Sequence, residues 1–207
     1  MTSCLDSMDP TGSAAPGLAS LELAFRTAGP DDAPALAGFA EHVFRDTFGP
    51  HNRAEDMDAY CRDAYAIDHV RGELTDRDYH TVLALARGEL AGYAQLRTTA
   101  PPPCVTGPAP VELKRLYVDR RWHGGGVAHT LLDRAVAIAL QRGAQTLYLS
   151  VWRHNQRAIA FYVKHGFAQV GAAEFRLGAD IQLDLVMQRP LPALPIQPSP
   201  PAATSRG

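Results

Sequence analysis

The chain has 207 residues, of which 46% are hydrophobic and 20% charged, with a formal net charge of -2. That suits one soluble globular domain whose core needs no covalent staples. A near-neutral balance gives no general attraction to nucleic acid or to an anionic membrane, and no apolar run approaches the ~20 residues of a membrane span.

In chain order, residues 1–20 are rich in Ser, Gly, Ala and Pro and are expected to be a disordered tail. They lack the basic start and apolar block of a secretory signal. Cys4, Cys61 and Cys104 are widely spaced and form no CxxC pair. They read as reduced thiols of a cytoplasmic protein, with no metal site and no nucleophile signature. "LELAFRTA" (21–28) alternates Leu21, Leu23 and Phe25 with polar neighbours, a strand pattern. "GPDDAPALAGFAEHVFRDTFG" keeps Leu36, Phe39, Ala40, Val43, Phe44 and Phe48 at helical spacing. "NRAEDMDAYCRDAY" predicts a second, more polar helix, and "IDHVRGEL" a short third one. "TVLALARGELAGYAQLRTT" predicts a hairpin turning at "RGE". The prolines of "APPPCVTGPAP" make it a loop.

Residues 111–118, "VELKRLYV", predict a strand, and "GVAHTLLDRAVAIALQRG" predicts a helix ended by Gly143. "TLYLSVW" is a strand. "NQRAIAFYVKHG" is a helix with an Asn cap and a closing Gly166. "FAQVGAAEFRL" and "IQLDLVMQR" are the last two strands. The folded part is expected over 21–189, followed by a Pro-rich tail over 190–207. Strand and helix alternation in the second half predicts a mixed α/β sheet covered by helices.

"RRWHGGGVA" (120–128) sets three glycines between a strand and a helix. The first turn of a helix carries unpaired N–H groups and about half a positive charge, and glycines let a phosphate approach them. Arg120, Arg121 and His123 add donors. The pattern fits an anion site, most simply for a diphosphate, against the plainer reading of glycines packing a tight turn. No Lys-Ser or Lys-Thr follows, which excludes a P-loop, and the third Gly of a dinucleotide fingerprint is missing.

The same stretch resembles the coenzyme A signature of the GNAT N-acetyltransferase superfamily, [Q/R]-x-x-G-x-[G/A]. Gly126 and Ala128 fill its small positions, and His123 stands where Gln or Arg is usual. "HNQRAIAFYVKHGF" (154–167) is similar to a second family block, with Asn155, Ala158, Phe161, Tyr162, Gly166 and Phe167 in register. The chain also looks like the bacterial branch that acetylates spermidine and spermine, through "FRDTFGPHNRAEDMDAY", "YLSVWRHNQRAIAFYVKHGF" and "FRLGADIQLDLVM".

The resemblance implies a mostly antiparallel sheet of about seven strands whose central strands splay. It implies acetyl-CoA as co-substrate and a primary amine as acceptor. Pantetheine would lie along Leu116, Tyr117 and Val118. The diphosphate would sit on His123, Gly124, Gly125, Gly126, Val127 and Ala128. Asn155 would meet a pantetheine amide, and Lys164 could reach a phosphate. Tyr162 would protonate the departing thiolate, a role a phenol can fill as general acid. An alkylamine has a pKa near 10 and must lose a proton before it attacks, so a base is needed. Glu112 is the candidate, set against a plain ion pair with Lys114 or Arg115. The acidic residues of "EDMDAY", with Asp63, Asp68, Glu73, Asp76 and Asp78, suit a polycationic acceptor or a solvated helix face. An amino acid, a protein N-terminus, an amine drug and a non-catalytic CoA-binding module remain as alternatives, and a homodimer is left open.

Overall fold

The structure is a computed structural model that describes residues 23–192. The expected N-terminal tail and most of the C-terminal one lie outside the described residues. The elements run β1 (Leu23–Thr27), α1 (Ala33–Phe48), α2 (Ala54–Ala64), α3 (Ile67–Thr75), β2 (Tyr79–Ala86), β3 (Glu89–Arg97), β4 (Pro110–Val118), α4 (Val127–Gln141), β5 (Thr146–Trp152), α5 (Gln156–Lys164), β6 (Ala168–Leu177) and β7 (Asp180–Pro190). The short third helix is real. The folded part also passes 189: Pro190 ends β7, and buried Leu191 donates its N–H to Gln145 at 2.8 Å.

The seven strands form one sheet in the order β1-β2-β3-β4-β5-β7-β6. Every neighbouring pair is antiparallel except β4 and β5. The β2–β3 turn is Arg87-Gly88, both at positive φ (53° and 82°), as a two-residue hairpin of right-handed twist requires.

One face of the sheet packs on α4 and α5 through Leu131, Leu132, Leu147, Leu149, Tyr162 and Phe167. The other packs on α1–α3 through Leu36, Phe44, Met57, Val70, Leu83 and Tyr93. A bulge in β4 sorts its side chains between these layers. Gln95 pairs with Arg115 and Leu96 with Leu113, which leaves Lys114 as the extra residue. Val111 and Leu113 therefore join the α4 core, while Tyr117 packs on the α1–α3 side.

Glu73 corrects one expectation. It is 5% exposed, neither on a solvated helix face nor open to a polycation. Its carboxylate takes Arg115 at 2.6 Å, together with Lys114 and the Gln95 amide. Burial alone would raise its pKa, but the two cations hold it down at about 2. Its contribution to stability is present above the usual carboxylate range and is lost as pH falls toward 2. Replacing Glu73 by Gln strands a buried guanidinium and should cost about 3–5 kcal/mol, read as a fall in the urea midpoint at neutral pH.

Candidate active site

Past Glu112 the two central strands part. Pairing between β4 and β5 covers only Pro110–Glu112 against Thr146–Tyr148. The gap opens into a cleft of about 880 Å³ that runs from the glycine turn to the α1–α2 side. Leu116, Tyr117, Val118, His123, Ala128 and Asn155 all line it.

The glycine turn has the geometry its sequence asks for. Gly124 and Gly126 adopt φ of 81° and 80°, and Gly126 is the N-cap of α4. Thr130 is the first residue to donate its N–H back to Gly126, so the N–H groups of Val127, Ala128 and His129 have no helical acceptor. Val127 offers backbone only, because its side chain is 1% exposed within the core.

His123 is engaged rather than free. Its Nε2 lies 2.9 Å from the Val118 carbonyl and its Nδ1 lies 2.5 Å from a guanidinium nitrogen of Arg157. One neutral tautomer satisfies both contacts: Nε2–H donates to Val118, and Nδ1 accepts from Arg157. The cations that line this end of the cleft are instead Arg157 and Arg120. Lys164 is exposed on the last turn of α5 and does not line the cleft. It lies two residues past the inward-facing Tyr162, hence on roughly the opposite side of the helix.

Asn155 caps α5, its Oδ1 accepting from the Ala158 N–H at 3.1 Å, which leaves its amide N–H groups for the cleft. Tyr162, two turns on, also lines the cleft. Its hydroxyl makes no hydrogen bond among the described residues, and burial pushes its pKa well above the usual phenol value. It therefore holds its proton at neutral pH. Glu112 faces the same cleft, but its ion pair is neither of those expected. Arg97 from β3 places two guanidinium nitrogens on Oε2, at 2.6 and 2.7 Å, and leaves Oε1 uncommitted among the described residues. Lys114 and Arg115 are taken by Glu73.

A model of the acetyltransferase (GNAT) family matches residues 38–167. The chain belongs to that family. It is 34% identical over 165 residues to an uncharacterized N-acetyltransferase of Mycobacterium tuberculosis, covering 77% of this chain and 98% of the relative. It is 28% identical to another from Lactobacillus delbrueckii subsp. lactis, covering 77% and 92%. Among solved structures, the PaiA N-acetyltransferase of Thermoplasma acidophilum, in complex with coenzyme A, shares the fold with a TM-score of 0.68 at 22% identity, over 82% of this chain and 99% of that one. The chain is thus an N-acetyltransferase of the GNAT type. Among the described residues, no helix is long and apolar enough to cross a membrane.

Several residues of this GNAT site escape the motifs. The end of the cleft away from the glycine turn is walled by Phe44, Phe48, Tyr60, Trp152 and Phe175. Phe48 meets Trp152 with ring centroids at 5.8 Å, and Tyr60 meets Phe175 at 5.3 Å. Of the acidic run, only the non-acidic Tyr60 reaches this wall. Asp58 is spent on Arg45, Asp68 on Arg71, and Asp56 on the Ala179 N–H. Two carboxylates reach the cleft from the last strands, the exposed Glu174 on β6 and Asp184 on β7, the latter 8% exposed and raised by burial to about 6 from an ordinary 3.8.

A carboxyl raised in the folded state favours folding in its protonated form. That advantage is complete below the unfolded value and is lost as pH rises through about 6. Asp184→Asn should therefore stabilise the protein at about pH 8 by about 1–3 kcal/mol and do much less at about pH 4, measured by thermal melts at both.

Proposed function

We propose that this N-acetyltransferase moves the acetyl group of acetyl-CoA to a primary amine by direct attack. The observation that carries the reading is the parted β4/β5 gap, open from a glycine-capped helix N-terminus at one end to the unpartnered Tyr162 hydroxyl. The Gly125 N–H is turned back onto the Trp122 carbonyl, so the diphosphate would rest on the free N–H groups that open α4, those of Val127 and Ala128 among them, with Arg157 and Arg120 supplying the charge expected of His123. Pantetheine amides would complete the unpaired edge of β4 at Leu116–Val118, and Asn155 would donate to one of them.

The amine must reach the thioester neutral. Glu112, held by Arg97 through Oε2, keeps Oε1 for the cleft and takes the ammonium proton through water. The nitrogen lone pair adds to the thioester carbonyl, the C–S bond breaks, Tyr162 gives its proton to the leaving sulfur, and the second proton lost by the nitrogen returns through water to the phenolate. A phenol whose pKa is raised by burial stays protonated until that moment. The acceptor is a small amine of the polyamine kind, since the far end of the cleft joins aromatic walls to carboxylate.

Isothermal titration with acetyl-CoA should give saturable heat; none at millimolar ligand would sink the reading. Tyr162→Phe should lower kcat by about 10²–10⁴-fold while acetyl-CoA affinity stays near the parent's. An equal loss of both would make Tyr162 a packing residue. His123→Ala should weaken acetyl-CoA binding about tenfold by releasing Arg157, with kcat at saturation kept.

A further inference from the structure

Three carboxylates are buried among the described residues: Glu73, Asp119 and Asp184. Glu73 is held by Lys114 and Arg115, and Asp119 by Arg121. The Asp184 side chain takes part in no ion pair and no hydrogen bond among the described residues, and its Oδ1 is buried without any partner. A carboxylate so placed is costly unless something supplies donors. Nothing in the packing of β7 requires a charge there, because its neighbours Leu183, Leu185 and Val186 are apolar.

The position is specific. Asp184 stands across from Trp152 on β5 and from Ala173 on β6, so its side chain shares the cleft face with the Trp152 indole. Phe48 packs on that indole, and Phe175 lines the same end of the cleft. An anion beside aromatic faces is an environment for an alkylammonium: the carboxylate accepts its N–H groups, and the rings cover its methylenes and charge. Of the other carboxylates that line the cleft, Glu112 is matched by Arg97 and Asp46 by Arg120, while Glu174 is exposed to solvent.

Tyr162 stands on α5 and Asp184 on β7, and both line the one cleft. We propose that Asp184 binds a second, non-reacting ammonium group of the acceptor, so that the enzyme selects diamines and longer polyamines over monoamines. The inference rests on the amine-acetyltransfer reading above and deepens it. Asp184 is here a binding residue, and the proton chemistry stays with Glu112 and Tyr162.

The test uses the full chain and two acceptors that differ by one charge, 1,4-diaminobutane and butylamine, followed by thiol release from acetyl-CoA. The parent should show a kcat/KM for the diamine about 10- to 100-fold above that for butylamine. Asp184→Asn should erase the preference by raising the diamine KM about 10- to 100-fold, with a much smaller change for butylamine, while acetyl-CoA affinity stays near the parent's and the melting point at pH 8 rises. Asp184→Ser serves with the same readouts should the amide variant fold poorly. A parent that binds acetyl-CoA yet treats the two amines alike overturns the inference, as does a variant that loses both acceptors equally. A parent that binds no acetyl-CoA overturns the acetyltransfer reading instead. Calorimetric titration of the diamine alone then decides for Asp184: heat with the parent and none with Asp184→Asn supports it, and no difference sinks it.

Discussion

The whole arrangement depends on β4 and β5 separating after three residue pairs. Each strand then follows its other neighbour, β4 staying with β3 and β5 with β7. Two central strands thereby face one another with unpaired N–H and C=O groups in the middle of the protein, which a folded chain seldom tolerates without a partner. A ligand that carries amides of its own is the natural occupant of such a gap. The separation also lets one cleft reach both layers, from the α4 and α5 side to the α1–α3 side.

The bulge at Lys114 decides what the cleft contains. Without the extra residue, a strict period of two would send Arg115 and Tyr117 toward α4, into the apolar core built on Leu131 and Leu132. With it, Arg115 reaches Glu73 and Tyr117 faces the cleft. The charge at the heart of the α1–α3 layer is therefore matched internally. Buried ion pairs add little net stability, but the removal of one partner is severe.

Much of this was legible in the sequence, for identifiable reasons. The elements were marked by local chemistry: alternation in "TLYLSVW", the Asn155 cap, and glycines at 143 and 166 that sit at φ of 80° and 82°. The glycine-turn end of the cleft was legible because its residues cluster within two short blocks. What stayed hidden was what the fold brings together from afar. The Arg97–Glu112 pair joins β3 to β4, and the Glu73 network spans α3, β3 and β4. The engagement of His123 needs Arg157, 34 residues away, and no local pattern announces it. Asp184 was hidden as well: in "IQLDLVMQR" it falls with Gln182 and Gln188 on the polar side of the alternation, where a strand residue is expected to face water.

The last strand in sequence is not at the edge of the sheet. β7 lies between β5 and β6, so residues 180–190 close a gap that residues 146–152 open. As the chain is synthesised, the segment matched by the family, ending at 167, can emerge in full while the outer edge of β5 is still bare. That edge carries Leu149 and Val151, which are core residues in the finished molecule. A chain stopped short of 180 would hold both signature blocks and yet display a sticky, unpaired strand. Asp184 and Gln182 are the cleft residues that arrive only with this final strand, after the aromatic wall has been made.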